Sequence, residues 1–244
     1  MKQFTINEII EIRKAIENGI TTNHSGKMRY KWTFSTSKKL NKLCASRSKN
    51  PNLICSKCYA EDVINRYENL ESKLARNTEL ITKECLPIEC FPHVNKLDFR
   101  LESFGDIGTI EQVYNYFQFA KANKRTFFVL WTKNPHIVKK AMETFKIEKP
   151  ANFRIIFSSC HLNKEQSEII LKLFPFVDKI FTVYTAEYAV ANDIAINCGG
   201  NNCESCNRCY NPENNEKFIN EMLKQEQSKF KKLCSKIGKL LQIA

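Results

Sequence analysis

Between residues 96 and 184 the chain alternates apolar runs of strand length with helical patterns, and this alternation limits the fold more than any other feature. Residues 96–103, 125–132, 153–158 and 179–184 read as strands, and 111–122, 135–145 and 164–174 as helices, with Pro135 in a favoured first-turn position. A strand–helix repeat of this kind requires a mostly parallel sheet with right-handed crossovers. Upstream, a helix over residues 7–17 and an alternating strand over 30–35 precede the repeat. The strand count is five, or six if the segment near residues 192–198 completes the set after a short helix. Either number falls short of a closed eight-stranded barrel, so the expected fold is α/β, a partial parallel (β/α)6-type barrel.

In such folds ligands bind at the carboxyl ends of the strands. Four strand ends carry polar clusters: Glu102-Ser103 with Gly105-Asp106, Thr132-Lys133-Asn134, Ser158-Ser159-Cys160-His161, and Thr185-Ala186-Glu187. They are expected to line one mouth. Glu102, Asp106 and Glu187 are the candidates there for acid–base work.

Seven cysteines form two groups: Cys44, Cys55 and Cys58 at C-x10-C-x2-C, and Cys198, Cys203, Cys206 and Cys209 at C-x4-C-x2-C-x2-C. Each Cys-x-x-Cys turn brings two sulfurs to one side of the backbone, which suits a metal or a cluster. Zinc and iron–sulfur clusters both accept four thiolates, and the spacing is compatible with one shared site or two. The first pair precedes a helical pattern over residues 61–84, in which Val63, Tyr67, Leu70 and Leu74 recur at helical spacing. Its sulfurs would face that helix's N-terminus.

The formal charge of +12 favours an anionic partner such as a nucleic acid. Residues 1–8 hold no apolar run or cleavage-site pattern, and no stretch has membrane length. A reducing cytoplasm and no membrane partner are therefore expected. From about residue 213 to 244 the pattern is a basic amphipathic helix or helix pair, with Phe230, Leu233, Ile237 and Leu240 on one face. The expected organisation is residues 1–197 as the partial barrel with the early cysteines, and residues 198–244 as a cysteine-rich segment and basic helix packed onto it.

The order Cys44…Cys55-x-x-Cys58-Tyr59-Ala60, Phe99 to Ile107, Phe128 to Pro135, Cys198…Cys203-x-x-Cys206-x-x-Cys209 resembles the phage gene product eighty-eight family over residues 33–210. More distantly it is similar to radical SAM (S-adenosylmethionine) barrels, although the C-x10-C gap is longer than that superfamily's usual one. The resemblance implies a [4Fe-4S] cluster on Cys44, Cys55 and Cys58, SAM chelated to its open iron and cleaved reductively, and an auxiliary cluster on Cys198, Cys203, Cys206 and Cys209. Ser103, Gly105 and Asp106 would bind SAM's polar groups, with Thr132, Lys133 and Ser158 as further cofactor-binding candidates. The expected activity is that of an iron–sulfur enzyme acting on a nucleic acid or nucleotide, served by a reductase or flavodoxin-type electron donor. The alternative is a zinc-stabilised nucleic-acid-binding protein without catalysis.

Overall fold

The computed structural model describes residues 2–198, 202–223 and 226. Helix α1 (Ile6–Gly19) starts at a capping box in which Thr5 and Glu8 satisfy each other's backbone N–H groups. Strands β1 (Thr21–Thr22) and β2 (Trp32–Phe34) form an antiparallel pair. Then come α2 (Lys42–Ser48), α3 (Tyr59–Arg66), α4 (Leu70–Thr82), β3 (Asp98–Leu101), α5 (Ile110–Ala122), β4 (Phe127–Thr132), α6 (Pro135–Phe145) and β5 (Phe153–Leu162). They are followed by α7 (Ile169–Leu173), β6 (Lys179–Tyr184), α8 (Ala186–Ala191), α9 (Cys203–Cys206) and β7 (Phe218–Met222). The seven strands lie side by side in chain order, and every pairing from β2 to β7 is parallel. The sheet is open, with β1 and β7 at its edges.

Side chains alternate between the two faces of each strand, so the sheet separates two environments. On one face Phe99, Leu101, Phe128, Leu130, Phe153 and Ile155 pack against Val113, Tyr116, Phe117 and Ala120 of α5 and Val138 and Ala141 of α6. This is the main core, and its aromatic rings interlock: Phe99 lies 5.2 Å from Phe128 and 5.4 Å from Phe119 between centroids. On the opposite face Val129 and Ile156 pack against Tyr210, with Trp131, Phe181, Cys203 and Cys209 around them. The C-terminal cysteine segment therefore covers the face that the helices leave open.

Four expectations are corrected. The single helix over 61–84 is two, α3 and α4, separated at Tyr67–Asn69, where Tyr67 takes an extended backbone. Ala60 and Ile64 of α3 pack in one cluster with Leu74 of α4. In a continuous helix Ile64 and Leu74 would stand about 15 Å apart along the axis, so the break is what lets them meet. The helix expected over 164–174 shrinks to α7, because β5 continues to Leu162 and Asn163 turns the chain at φ 57° while its Oδ1 accepts from the Thr185 N–H at 2.7 Å. No strand forms over 192–198, where Cys198 makes an isolated bridge to Glu221. The last strand is β7 instead, within the stretch read as tail helix, because the open edge of β6 offers a ladder of backbone partners to residues 218–222. The rest of the basic helix pattern, including Phe230, Leu233, Ile237 and Leu240, lies outside the described residues.

Candidate cysteine-lined site

Cys44 sits in α2, whose N-cap Asn41 accepts the N–H groups of Leu43 at 3.0 Å and Cys44 at 3.2 Å. The Asn41 side chain also donates to the Asp106 carbonyl at 2.7 Å, which ties this helix to the loop after β3. Cys55 lies on a short 3-10 turn, Ile54–Lys57, and Cys58 is the N-cap of α3, as expected of a thiol pair just before a helix. A bridge between Leu53 and His161 brings this turn against the end of β5, within electrostatic reach of Cys160.

The second group is built from β7 and the loop before it. Cys198 Sγ accepts from Lys27 Nζ at 3.1 Å, and Lys27 is ion-paired with Glu221. Cys203 and Cys206 are the ends of α9, and Cys203 N–H donates to the Lys27 carbonyl at 2.7 Å. Cys209 follows a left-handed residue, Asn207 at φ 50°. Two buried cations then fasten the exit of the segment. Arg154 donates to the carbonyls of Cys209 at 3.0 Å, Asn211 at 2.8 Å and Pro212 at 3.0 Å, and Lys179 donates to both oxygens of Asn214 at 2.9 and 2.7 Å. Buried Lys31 bridges Asp98 and Glu204, each at 2.7 Å, and so joins β3 to α9.

Both groups open on one cavity of about 270 Å³ at the carboxyl ends of the strands, with Cys55 and Cys58 on its wall together with Cys198, Cys203 and Cys209. Cys44 and Cys206 are half-buried and lie outside its lining. Of the expected cofactor-binding residues, Ser103, Gly105, Asp106, Lys133 and Ser158 line the cavity. Thr132 is buried behind it and donates to Asp106 Oδ1 at 2.7 Å, and Lys133 N–H donates to Asp106 Oδ2 at 3.1 Å. Lys133 Nζ reaches Ser158 Oγ at 3.3 Å. Of the acid–base candidates, Glu102 and Asp106 are on the wall, whereas Glu187 is exposed in the first turn of α8 and does not line it.

Glu102 has φ 58°, which turns its carboxylate back into the protein after β3. There it accepts from Thr36 N–H at 3.1 Å, Thr36 Oγ1 at 3.0 Å and Gln112 Nε2 at 2.7 Å, and from the Tyr116 hydroxyl. Burial still dominates and pushes its pKa from the ordinary 4.5 up to about 7. Gly105 completes this turn, because a Cβ there would stand 2.5 Å from Thr36 Oγ1 and 2.6 Å from the Thr36 carbonyl.

Burial raises the pKa of five of the seven thiols. Burial, and then the Asp106 carboxylate, pushes Cys44 up to about 12, and burial followed by Cys198 and Cys203 does the same to Cys209. Burial also raises Cys55, Cys198 and Cys203. By the chemistry of the donor set and by their place these sulfurs suit a soft metal or an iron–sulfur cluster, whose binding would displace the protons. Among the described residues no three His, Cys, Asp or Glu groups are already gathered as a metal site.

Several residues of the site were not singled out by their sequence pattern. Lys27 and Met28 come from the hairpin before β2, and Tyr210 directly follows Cys209. Arg100 and Trp131 lie on β3 and β4, and their place in the cavity follows from strand alternation alone: Arg100 and Glu102 are two apart, as are Trp131 and Lys133.

Fold and site together define an α/β protein with a parallel sheet in chain order and a cysteine-lined cavity at the strand ends. The sequence matches the family model described as Gene product 88 over residues 11–240, and the chain belongs to that family. No curated protein and no solved structure shows significant similarity to it. Among the described residues no helix is long and apolar enough to cross a membrane.

Proposed function

We propose that this protein is an iron–sulfur enzyme of radical SAM-like build, in which the strands β2 to β7 act as a partial (β/α)6-type barrel around the cysteine-lined cavity. One observation carries this reading: the early and late cysteines, about 140 residues apart in sequence, face the same cavity. In this reading Cys44, Cys55 and Cys58 hold a [4Fe-4S] cluster and Cys198, Cys203, Cys206 and Cys209 hold a second metal centre. Such a cluster with SAM supplies one-electron reductive chemistry.

The chain's own residues would then orient the bound molecule. Ser103, Lys133 and Ser158 present two hydroxyls and an ammonium to the cavity, and the backbone at Gly105 allows close approach. Thr132 and the Lys133 N–H fix Asp106. Glu102, with its pKa near 7, can hold or release a proton at neutral pH. The positive formal charge supports a nucleic acid or nucleotide as substrate.

Anaerobic purification with iron, sulfide and zinc analysis and a visible spectrum tests the proposal. The expected result is a coloured protein whose iron falls in Cys55→Ala. A colourless protein with stoichiometric zinc and no iron or sulfide would overturn it in favour of a zinc-stabilised binding protein.

A further inference from the structure

The cavity wall holds four cations: Lys27 pairs with Glu221, Lys133 reaches Ser158, and Lys57 is exposed at the end of the turn Ile54–Lys57. Arg100 is different. Its guanidinium lies 4.2 Å over the Trp131 ring, donates to Met28 Sδ at 3.2 Å through one terminal nitrogen and interacts with the neutral Tyr210 hydroxyl. Its Nε is buried with no hydrogen-bond partner, and among the described residues no carboxylate pairs with it. The acids of the same wall are already committed. Glu221 is taken by Lys27, Asp106 by Thr132 and the Lys133 N–H, and Glu102 by Thr36, Gln112 and Tyr116. A second buried polar atom without a partner, Ser103 Oγ, opens on this cavity too.

A buried guanidinium without a counter-charge is costly unless something supplies one, and its fork of donors matches an oxyanion in two-point geometry. The stacking on Trp131 orders the fork, and its Nε is left without an acceptor. We infer that Arg100, assisted by Ser103, is an anion subsite that takes the carboxylate or phosphate of a small ligand whose apolar, planar part lies against Trp131 and Tyr210. The inference does not depend on which metal the cysteines hold. The competing role for Arg100 is as counter-charge to the Cys203 and Cys209 sulfurs, which lie within its electrostatic reach. Such a role would affect metal retention and leave ligand binding alone.

The test uses the purified full chain carrying Trp32→Phe, so that Trp131 is the only tryptophan and its emission reports the cavity. Two matched pairs of probes are titrated: adenosine 5′-monophosphate against adenosine, and benzoate against benzyl alcohol. At least one anionic probe is expected to saturate the signal and bind at least about tenfold more tightly than its neutral twin, the effect of one charge-assisted hydrogen bond. Whichever pair shows the difference identifies phosphate or carboxylate as the anion. Arg100→Met is expected to bring the anionic probe down to its neutral twin, Arg100→Lys to keep part of the preference, and Ser103→Ala to weaken it severalfold. The inference is overturned if neither anionic probe binds at millimolar concentration, or if Arg100→Met keeps the preference. It is equally overturned if Arg100→Met and Ser103→Ala weaken neutral and anionic probes alike, or if Arg100→Met loses metal while probe binding is unchanged.

Discussion

Glu102 shows how a single residue sets the character of the strand end. Its left-handed backbone and its buried carboxylate depend on each other, since only that turn directs the side chain to Thr36, Gln112 and Tyr116. Because its folded pKa lies above the unfolded one, the folded state keeps a proton that the unfolded chain releases. Its contribution to stability is therefore complete below pH 4.5 and is lost as the pH rises to about 7. The difference in unfolding free energy between wild type and Glu102→Gln should change across that window by as much as about 3 kcal/mol, measured by urea unfolding at a series of pH values, and stay flat above it. Gly105→Ala forces a Cβ onto backbone and side-chain atoms of Thr36, and is expected to cost about 1–3 kcal/mol in the same assay. A Gly105→Ala variant of unchanged stability would mean that the turn is looser than its contacts imply.

At the scale of elements, the cysteine segment is held by the sheet rather than by its own short helix. Arg154 on β5 and Lys179 on β6 donate to the carbonyls of residues 209–214, which would otherwise be under-satisfied against the sheet. Burial lowers the Lys179 pKa to about 8, so this anchor holds its charge less firmly than an exposed lysine. Arg154→Met removes the hydrogen bonds that place Cys209 and should destabilise the protein by roughly 2–4 kcal/mol. If the two groups hold metal as proposed, it should also lower the metal held by Cys198, Cys203, Cys206 and Cys209 and spare that held by Cys44, Cys55 and Cys58. Metal-to-protein ratios in Arg154→Met combined with Cys55→Ala or with Cys203→Ala check this, and an equal loss at both groups would contradict it. The four main strands and the helices α5 and α6 were legible because their apolar runs are long and their periods clear. Elements decided by neighbours were not: α3 and α4 divide so that Ile64 can meet Leu74, and β7 forms where the edge of β6 is open.

For the whole molecule the central question is whether the two cysteine groups act as one centre. If they hold separate metals, Cys55→Ala and Cys203→Ala should each remove only their own share, and the double variant should remove all of it. A shared centre would make either single substitution as severe as both. If the protein holds the proposed metal, chelation should lower the thermal midpoint and reloading should restore it, because ligands that bind only the folded state stabilise it by mass action. By itself the sequence determined the parallel α/β architecture, the polar strand ends and the two clusters of thiols, because these depend on local periodicity and short spacing. Only the tertiary structure decided that the clusters face one cavity, that Glu102 is turned inward and that Arg100 stands there with no carboxylate paired to it among the described residues. Each of those depends on contacts between residues far apart in the chain, such as Thr36 with Glu102 and Lys27 with Glu221, which no local pattern encodes.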